Sequence, residues 1–222
     1  MEIVHTPVLL NECLEFLSPI GESYENDAFM IDSTLGEGGH TNAFLSKFAG
    51  LKICGVDADS SIQARAKERL SVFGDRVRFF NGWFNDFYSS YPVDFPKPDL
   101  ILFDLGISVF HYEKSNRGFS FRYDEPLDMR LNENGTVSAF DIVNTYQEKK
   151  LADLIYLYGE EKLSRKIASA IVNARQGGEI SSSKALAEII YNCVPEKYRH
   201  GPIHPATRTF QAIRIACNDE LG

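Results

Sequence analysis

Nothing in the 222-residue sequence approaches the ~18 consecutive apolar residues of a membrane span, and Met1-Glu2-Ile3-Val4-His5 is not a basic stretch leading into an apolar signal. These absences point away from a membrane partner and predict a cytoplasmic protein. Cysteine is sparse: Cys13, Cys54, Cys193 and Cys217 are widely spaced singles, so neither a Cys-x-x-Cys zinc site nor a disulfide framework is expected. They read as small buried hydrophobes, and no metal is expected. Internal repeats and low-complexity tracts are missing. Asn134-Gly135-Thr136 matches a glycosylation triplet, which carries no meaning in a cytoplasmic chain. Basic residues are lacking where a phosphate would want them, since residues 29–46 hold no Lys or Arg but do hold Asp32 and Glu37. Strand signals stop after Gly106.

What is present is organised around the segment 29–40. A short apolar run, Phe29-Met30-Ile31, closes on Asp32, passes Gly36, Gly38 and Gly39, and re-enters a helical pattern at Thr41. This is how a buried strand hands over to a helix beneath a nucleotide-like ligand. The acidic, lysine-free loop suits a neutral or cationic group better than a pyrophosphate, which points to S-adenosylmethionine. A dinucleotide fingerprint would need Gly or Ala where Thr41 stands, and the Lys-Ser/Thr of a P-loop is absent. Further strands are predicted over 52–57, 77–81 and 100–105, with helices over 8–17, stopped at Ser18-Pro19, and 60–70, capped by Asp59. The last strand, apolar until Asp104, reads as buried on both faces. Beyond it come helices only, over 137–146, 149–158, 162–176, 184–193 and 206–221, with a connector at Arg199-His200-Gly201-Pro202. The alternation predicts an α/β fold, a doubly wound parallel sheet, with a helical insertion after the fourth strand. The net charge of −8 is uneven: 8 Lys+Arg face 16 Asp+Glu through Gly106, and 15 face 15 afterwards; the acidic balance argues against an indiscriminate nucleic-acid binder, while the neutral second half has room for a local basic face that could meet a phosphate backbone.

The chemistry-bearing residues sit at strand ends. Asp57, about 20 residues past the loop, can accept hydrogen bonds from ribose hydroxyls, in NAD or in S-adenosylmethionine; its alternative role as a helix cap is already filled by Asp59. Gly82-Trp83-Phe84 offers rings for an adenine face or for the core. In Asp104-Leu105-Gly106-Ile107-Ser108, a carboxylate and a backbone carbonyl can accept the N–H bonds of an attacking amine, although the same residues can simply form a turn. Arg117-Gly118-Phe119-Ser120-Phe121-Arg122-Tyr123 and Pro126-Leu127-Asp128-Met129-Arg130 interleave guanidinium groups with rings, a composition that suits looped RNA or a core turn with solvated arginines. Arg208 and Arg214 ride on the last helix.

Those motifs, taken with Thr6-Pro7-Val8-Leu9-Leu10, Asp32-Ser33-Thr34-Leu35-Gly36-Glu37-Gly38-Gly39-His40, Tyr158-Gly159-Glu160-Glu161 and His204-Pro205-Ala206-Thr207-Arg208-Thr209-Phe210-Gln211, follow one order along the whole chain. In that order the sequence resembles the bacterial ribosomal RNA small-subunit cytosine-N4 methyltransferases. The resemblance implies a Rossmann-like class I methyltransferase fold and S-adenosylmethionine-dependent methylation of the exocyclic N4 of a cytidine in the decoding region of 16S rRNA. The small subunit or its assembly intermediate would be the partner. It implies a cofactor-binding domain over 1–106, a helical insertion over 107–203, and a helix over 204–222 returning to the first domain. Carried over by motif, the cofactor positions would be Gly36, Gly38, Gly39, His40, Asp57, Phe84, Asp104 and His111. Asp104 and Ser108 would serve the chemistry, and Arg117, Phe119, Arg122, Arg130 and Arg208 the RNA. The chain departs from the family at Val109, Phe110 and His111, where a second serine, proline and glutamine are usual, and it stops at Gly222 where the family continues into further strands. Residues 100–105 would then show an apolar edge to water unless the insertion or a partner covers it, so self-association, such as a homodimer, is expected. The competing reading is a remnant that binds cofactor or RNA without catalysis.

Overall fold

The computed structural model describes residues 7–17 and 28–221. Thr6, the helix stop at Ser18-Pro19 and Gly222 lie outside the described residues. The chain divides between Val109 and Phe110 into two units.

In the first unit four parallel strands, β1 (Phe29–Asp32), β2 (Lys52–Asp57), β3 (Val77–Asn81) and β4 (Leu100–Leu102), form a sheet in the order β3-β2-β1-β4. The chain steps outward from β1 to β3 and then crosses to the other side of β1. In open α/β sheets such a reversal is where ligands bind, outside the carboxyl ends of the strands, here those of β1 and β4. Alternation along the strands loads both faces. Met30, Ile53, Val77 and Leu100 pack on one side with Phe44 and Leu45 of α2 (Gly39–Lys47) and Ala66 and Leu70 of α3 (Ser60–Leu70). Cys13, Leu14 and Leu17, in and just after α1 (Leu10–Phe16), rest on the same cluster. Phe29, Ile31, Cys54 and Val56 pack on the other side around Phe87 of α4 (Phe84–Ser89). Each fully buried side chain of this size contributes about 1.5–3 kcal/mol. Asp59 caps α3 by accepting the Ser61 and Ile62 N–H groups.

The fourth strand corrects the sequence reading. It ends at Leu102 rather than 105, and it is not buried on both faces: Ile101 is 48% exposed, Phe103 44% and Leu105 74%. Among the described residues β4 pairs with β1 alone, so one edge has no partner strand there.

The second unit is helical: α6 (Ala139–Thr145), α7 (Glu148–Gly159), α8 (Ser164–Arg175), α9 (Ser183–Cys193), α10 (Glu196–Arg199) and α11 (Thr207–Asn218), preceded by the short α5 (Val109–Glu113) at the boundary. Ser138 and Asp141 close a capping box on α6. Ile142, Leu151, Ile155, Ile167, Ile171, Leu186, Ile190, Phe210 and Ile213 supply the buried face. The sequence reading returned the last helix to the strand-bearing domain; the structure packs α11 on α7 within the second unit. The reason is local. A Cβ on Gly159 would lie 2.4 Å from the Arg208 carbonyl oxygen, so the absent side chain lets α11 lie directly on the end of α7.

Candidate functional site

Long-range hydrogen bonds gather the strand ends of the first unit. The Gly36 N–H donates to Asp57 Oδ2 at 2.8 Å, and the Asp59 N–H donates to Asp57 Oδ1 at 2.9 Å. The Asp104 N–H donates to Thr34 Oγ1 at 2.7 Å. The loop after β1 is thus tied to the end of β2 on one side and to the segment after β4 on the other. The Asp104 side chain is 45% exposed, and Ser108 follows it in the loop leading to α5. Phe84, 37% exposed, meets Phe103 edge-on at 5.4 Å, and Phe103 also contacts Tyr88, whose hydroxyl is hydrogen-bonded to Ser33 at 2.7 Å.

The acids of the glycine loop behave differently from the sequence reading. Asp32 is buried and accepts the Thr41 hydroxyl at 2.7 Å; burial pushes its carboxyl up, and the Thr41 bond opposes the shift. It is a tie from β1 to α2. Glu37 is paired at 2.8 Å with Arg65, and the Arg69 guanidinium reaches the Glu37 carbonyl; both arginines come from α3. A loop without basic residues in sequence therefore has two beside it in space. The glycines divide as well. A Cβ on Gly38 would strike Leu70 at 2.9 Å and one on Gly39 would strike Pro7 at 2.4 Å, so their missing side chains make room for the protein itself. Gly36, at φ +53°, has open space where a Cβ would stand. His40 is buried, with Nε2 3.1 Å from the Val8 carbonyl and Nδ1 4.0 Å from Asp104 Oδ2.

In the second unit His111 is buried beside Phe119, with ring centroids 5.2 Å apart. Phe119 is only 4% exposed, and Arg130 makes a two-pronged pair with Asp128 while also donating to the Glu133 and Gly135 carbonyls. Arg117 donates to the Arg130 and Leu131 carbonyls. Phe119, Arg130 and Arg117, expected to meet RNA, have bonds and contacts within this unit. Arg122 is exposed, and Arg208 is half-buried, its Nη1 3.5 Å from the Tyr198 hydroxyl. That hydroxyl donates to Glu161, which is fully buried.

Residues 2–222 match the family model described as the MraW methylase family. The chain belongs to the MraW methylase family. Within it, the chain is 62% identical over 221 residues to the ribosomal RNA small subunit methyltransferase H of Treponema denticola, spanning all of this chain and 69% of that relative. It is 48% identical over 222 residues to the protein of that name from Borrelia hermsii, covering 99% of this chain and 72% of the relative. The protein of that name from Borreliella afzelii is 45% identical over 221 residues, covering 99% of this chain and 73% of the relative. The parallel sheet with helices on both faces is the Rossmann-like class I methyltransferase architecture, and S-adenosylmethionine is the methyl donor of that class. The strand ends of the first unit offer such a group open space at Gly36, a strand-end carboxylate at Asp57 and a partly exposed ring at Phe84. Among the described residues, no helix of this MraW-family chain is long and apolar enough to cross a membrane.

Sequence reasoning missed Thr34, Arg65, Phe103 and Tyr88. Thr34 lay inside a quoted motif, but no local pattern signals a bond to a residue 70 positions away.

Proposed function

We propose that this chain transfers a methyl group from S-adenosylmethionine to the exocyclic N4 of a cytidine in the decoding region of 16S rRNA. The observation that carries the reading is the tying of Gly36 to Asp57 and of Thr34 to Asp104, which gathers a ribose-type acceptor and an amine-type acceptor at one sheet edge. Asp57 accepts the ribose hydroxyls, the open backbone at Gly36 admits the cofactor, and the Phe84 ring lies against adenine. The cofactor supplies an electrophilic methyl on a sulfonium. Asp104 accepts an N–H of the cytosine amine and so frees its lone pair for attack, and the carbonyls of the Asp104–Ser108 loop offer a second acceptor. Gly38, Gly39 and His40 hold the loop in shape. Arg122 and Arg208 meet the RNA backbone, a role the relatives' name as ribosomal RNA methyltransferases supports.

The test is methyl transfer from labelled cofactor to immature small-subunit particles, with the product mapped by nuclease digestion and mass spectrometry. N4-methylcytidine in the decoding region is expected, and Asp104→Ala should reduce transfer at least ~100-fold. Undiminished transfer by that variant removes Asp104 from its role. A second reading, a cofactor binder without transfer, is favoured by the exposure of Ile101 and Leu105 on the very segment that carries Asp104. Cofactor binding with no labelled RNA would select it.

A further inference from the structure

The His40 ring bridges two parts of the first unit. Its Nε2 lies 3.1 Å from the Val8 carbonyl, and a carbonyl oxygen only accepts, so Nε2 carries a proton. In the neutral imidazole Nδ1 is then a bare lone pair, and it stands 4.0 Å from Asp104 Oδ2. That is beyond a hydrogen bond but close enough for charge to govern the contact. The other titratable groups around the pair are Asp32 at the end of β1, whose carboxyl interacts with both His40 and Asp104, and Cys13 on α1, which feels Asp104. From α3, Arg65 and Arg69 reach the same loop and bond to Glu37.

We propose that His40 is a positioning residue for Asp104, presenting its carboxylate to the amine when the ring is neutral and withdrawing it when the ring is protonated. The inference rests on the reaction proposed above. In that reaction a C–N bond forms as the sulfonium C–S bond breaks, the electron pair leaves with sulfur, and the nitrogen sheds one proton to Asp104 and then to water. With Nδ1 bare, nothing on the ring competes for the carboxylate. With Nδ1 protonated, a charged donor faces Asp104 and draws it away from substrate. Methyl transfer should therefore be faster with the ring neutral than with it protonated.

His40→Gln is the informative variant, because the amide keeps a donor for the Val8 carbonyl but cannot take up a proton. Single-turnover transfer by the unmodified chain should be higher at pH 7.5 than at pH 5.5. In His40→Gln the profile should be flat, and the variant should outpace the parent at pH 5.5. An unchanged acid limb in His40→Gln overturns the proposal. A second measurement needs no turnover: nitrogen NMR of the five histidines in the full chain should show the His40 proton on Nε2, and Asp104→Asn should move the His40 Nδ1 resonance. A proton on Nδ1, or an Nδ1 signal indifferent to Asp104→Asn, also overturns it. If the unmodified chain transfers no methyl group, the reaction reading fails, and the NMR result still decides whether His40 and Asp104 are coupled.

Discussion

At the residue scale, Asp128 shows how a motif that looked made for RNA holds its own unit together. Burial alone would raise its carboxyl, but hydrogen bonds from Arg130 and the charges of Arg130 and Arg117 outweigh burial and hold it below the usual carboxylate range. A depressed folded-state value means stability that is present above the unfolded carboxylate's ordinary value, about 3.9, and lost as pH falls below it. Asp128→Asn should lower stability at pH 7 by about 1–3 kcal/mol, with the difference closing below pH ~4. Denaturant melts of both proteins at pH 7 and at about pH 2 measure it; a gap of undiminished size at the lower pH contradicts the ion-pair account. What was legible from the sequence at this scale was local. The Asp59 cap and the strand-end acid Asp57 could be read directly, whereas Arg65 reaching Glu37 28 positions back and Thr34 receiving the Asp104 N–H 70 positions on could not.

At the element scale, β2, α3 and β3 run over the residues that alternation and helical spacing give, because both their faces and their caps are local facts. Three short helices, α4 with six residues, α5 with five and α10 with four, were missed because none completes two turns and no periodicity can build up. The strand β4 was overextended, since an apolar run alone does not reveal which of its residues have a neighbour. The placement of α11 hangs on one glycine. Gly159→Ala should improve helix propensity by about 1 kcal/mol, yet its methyl meets the Arg208 carbonyl, and overpacking of about 1–3 kcal/mol should prevail. A lower thermal midpoint for Gly159→Ala is expected. An unchanged or raised midpoint would mean that α7 and α11 separate freely.

At the scale of the whole molecule, the apolar side chains of Ile101, Phe103 and Leu105 stand exposed close together along one segment of the first unit. An edge with no partner strand among the described residues and Ile101 in the open should recruit another strand. Light scattering should therefore report self-association of this chain that rises with concentration, and Ile101→Lys should suppress it. A monodisperse monomer before substitution would show that the edge is covered. The doubly wound class and the helical second half were legible because strand runs, glycine loop and helix periods are all sequence-local. The final helix's company was not, because it depends on which apolar faces meet. The account as a whole stands on the crevice where β1, β2 and β4 end. Calorimetric titration of S-adenosylmethionine into the chain and into Asp57→Ala, with folding of both checked by circular dichroism, tests it most directly. One-to-one binding by the unmodified chain and a loss of about 10–100-fold in affinity on removing the carboxylate are predicted; equal affinity of the two proteins would contradict the assignment.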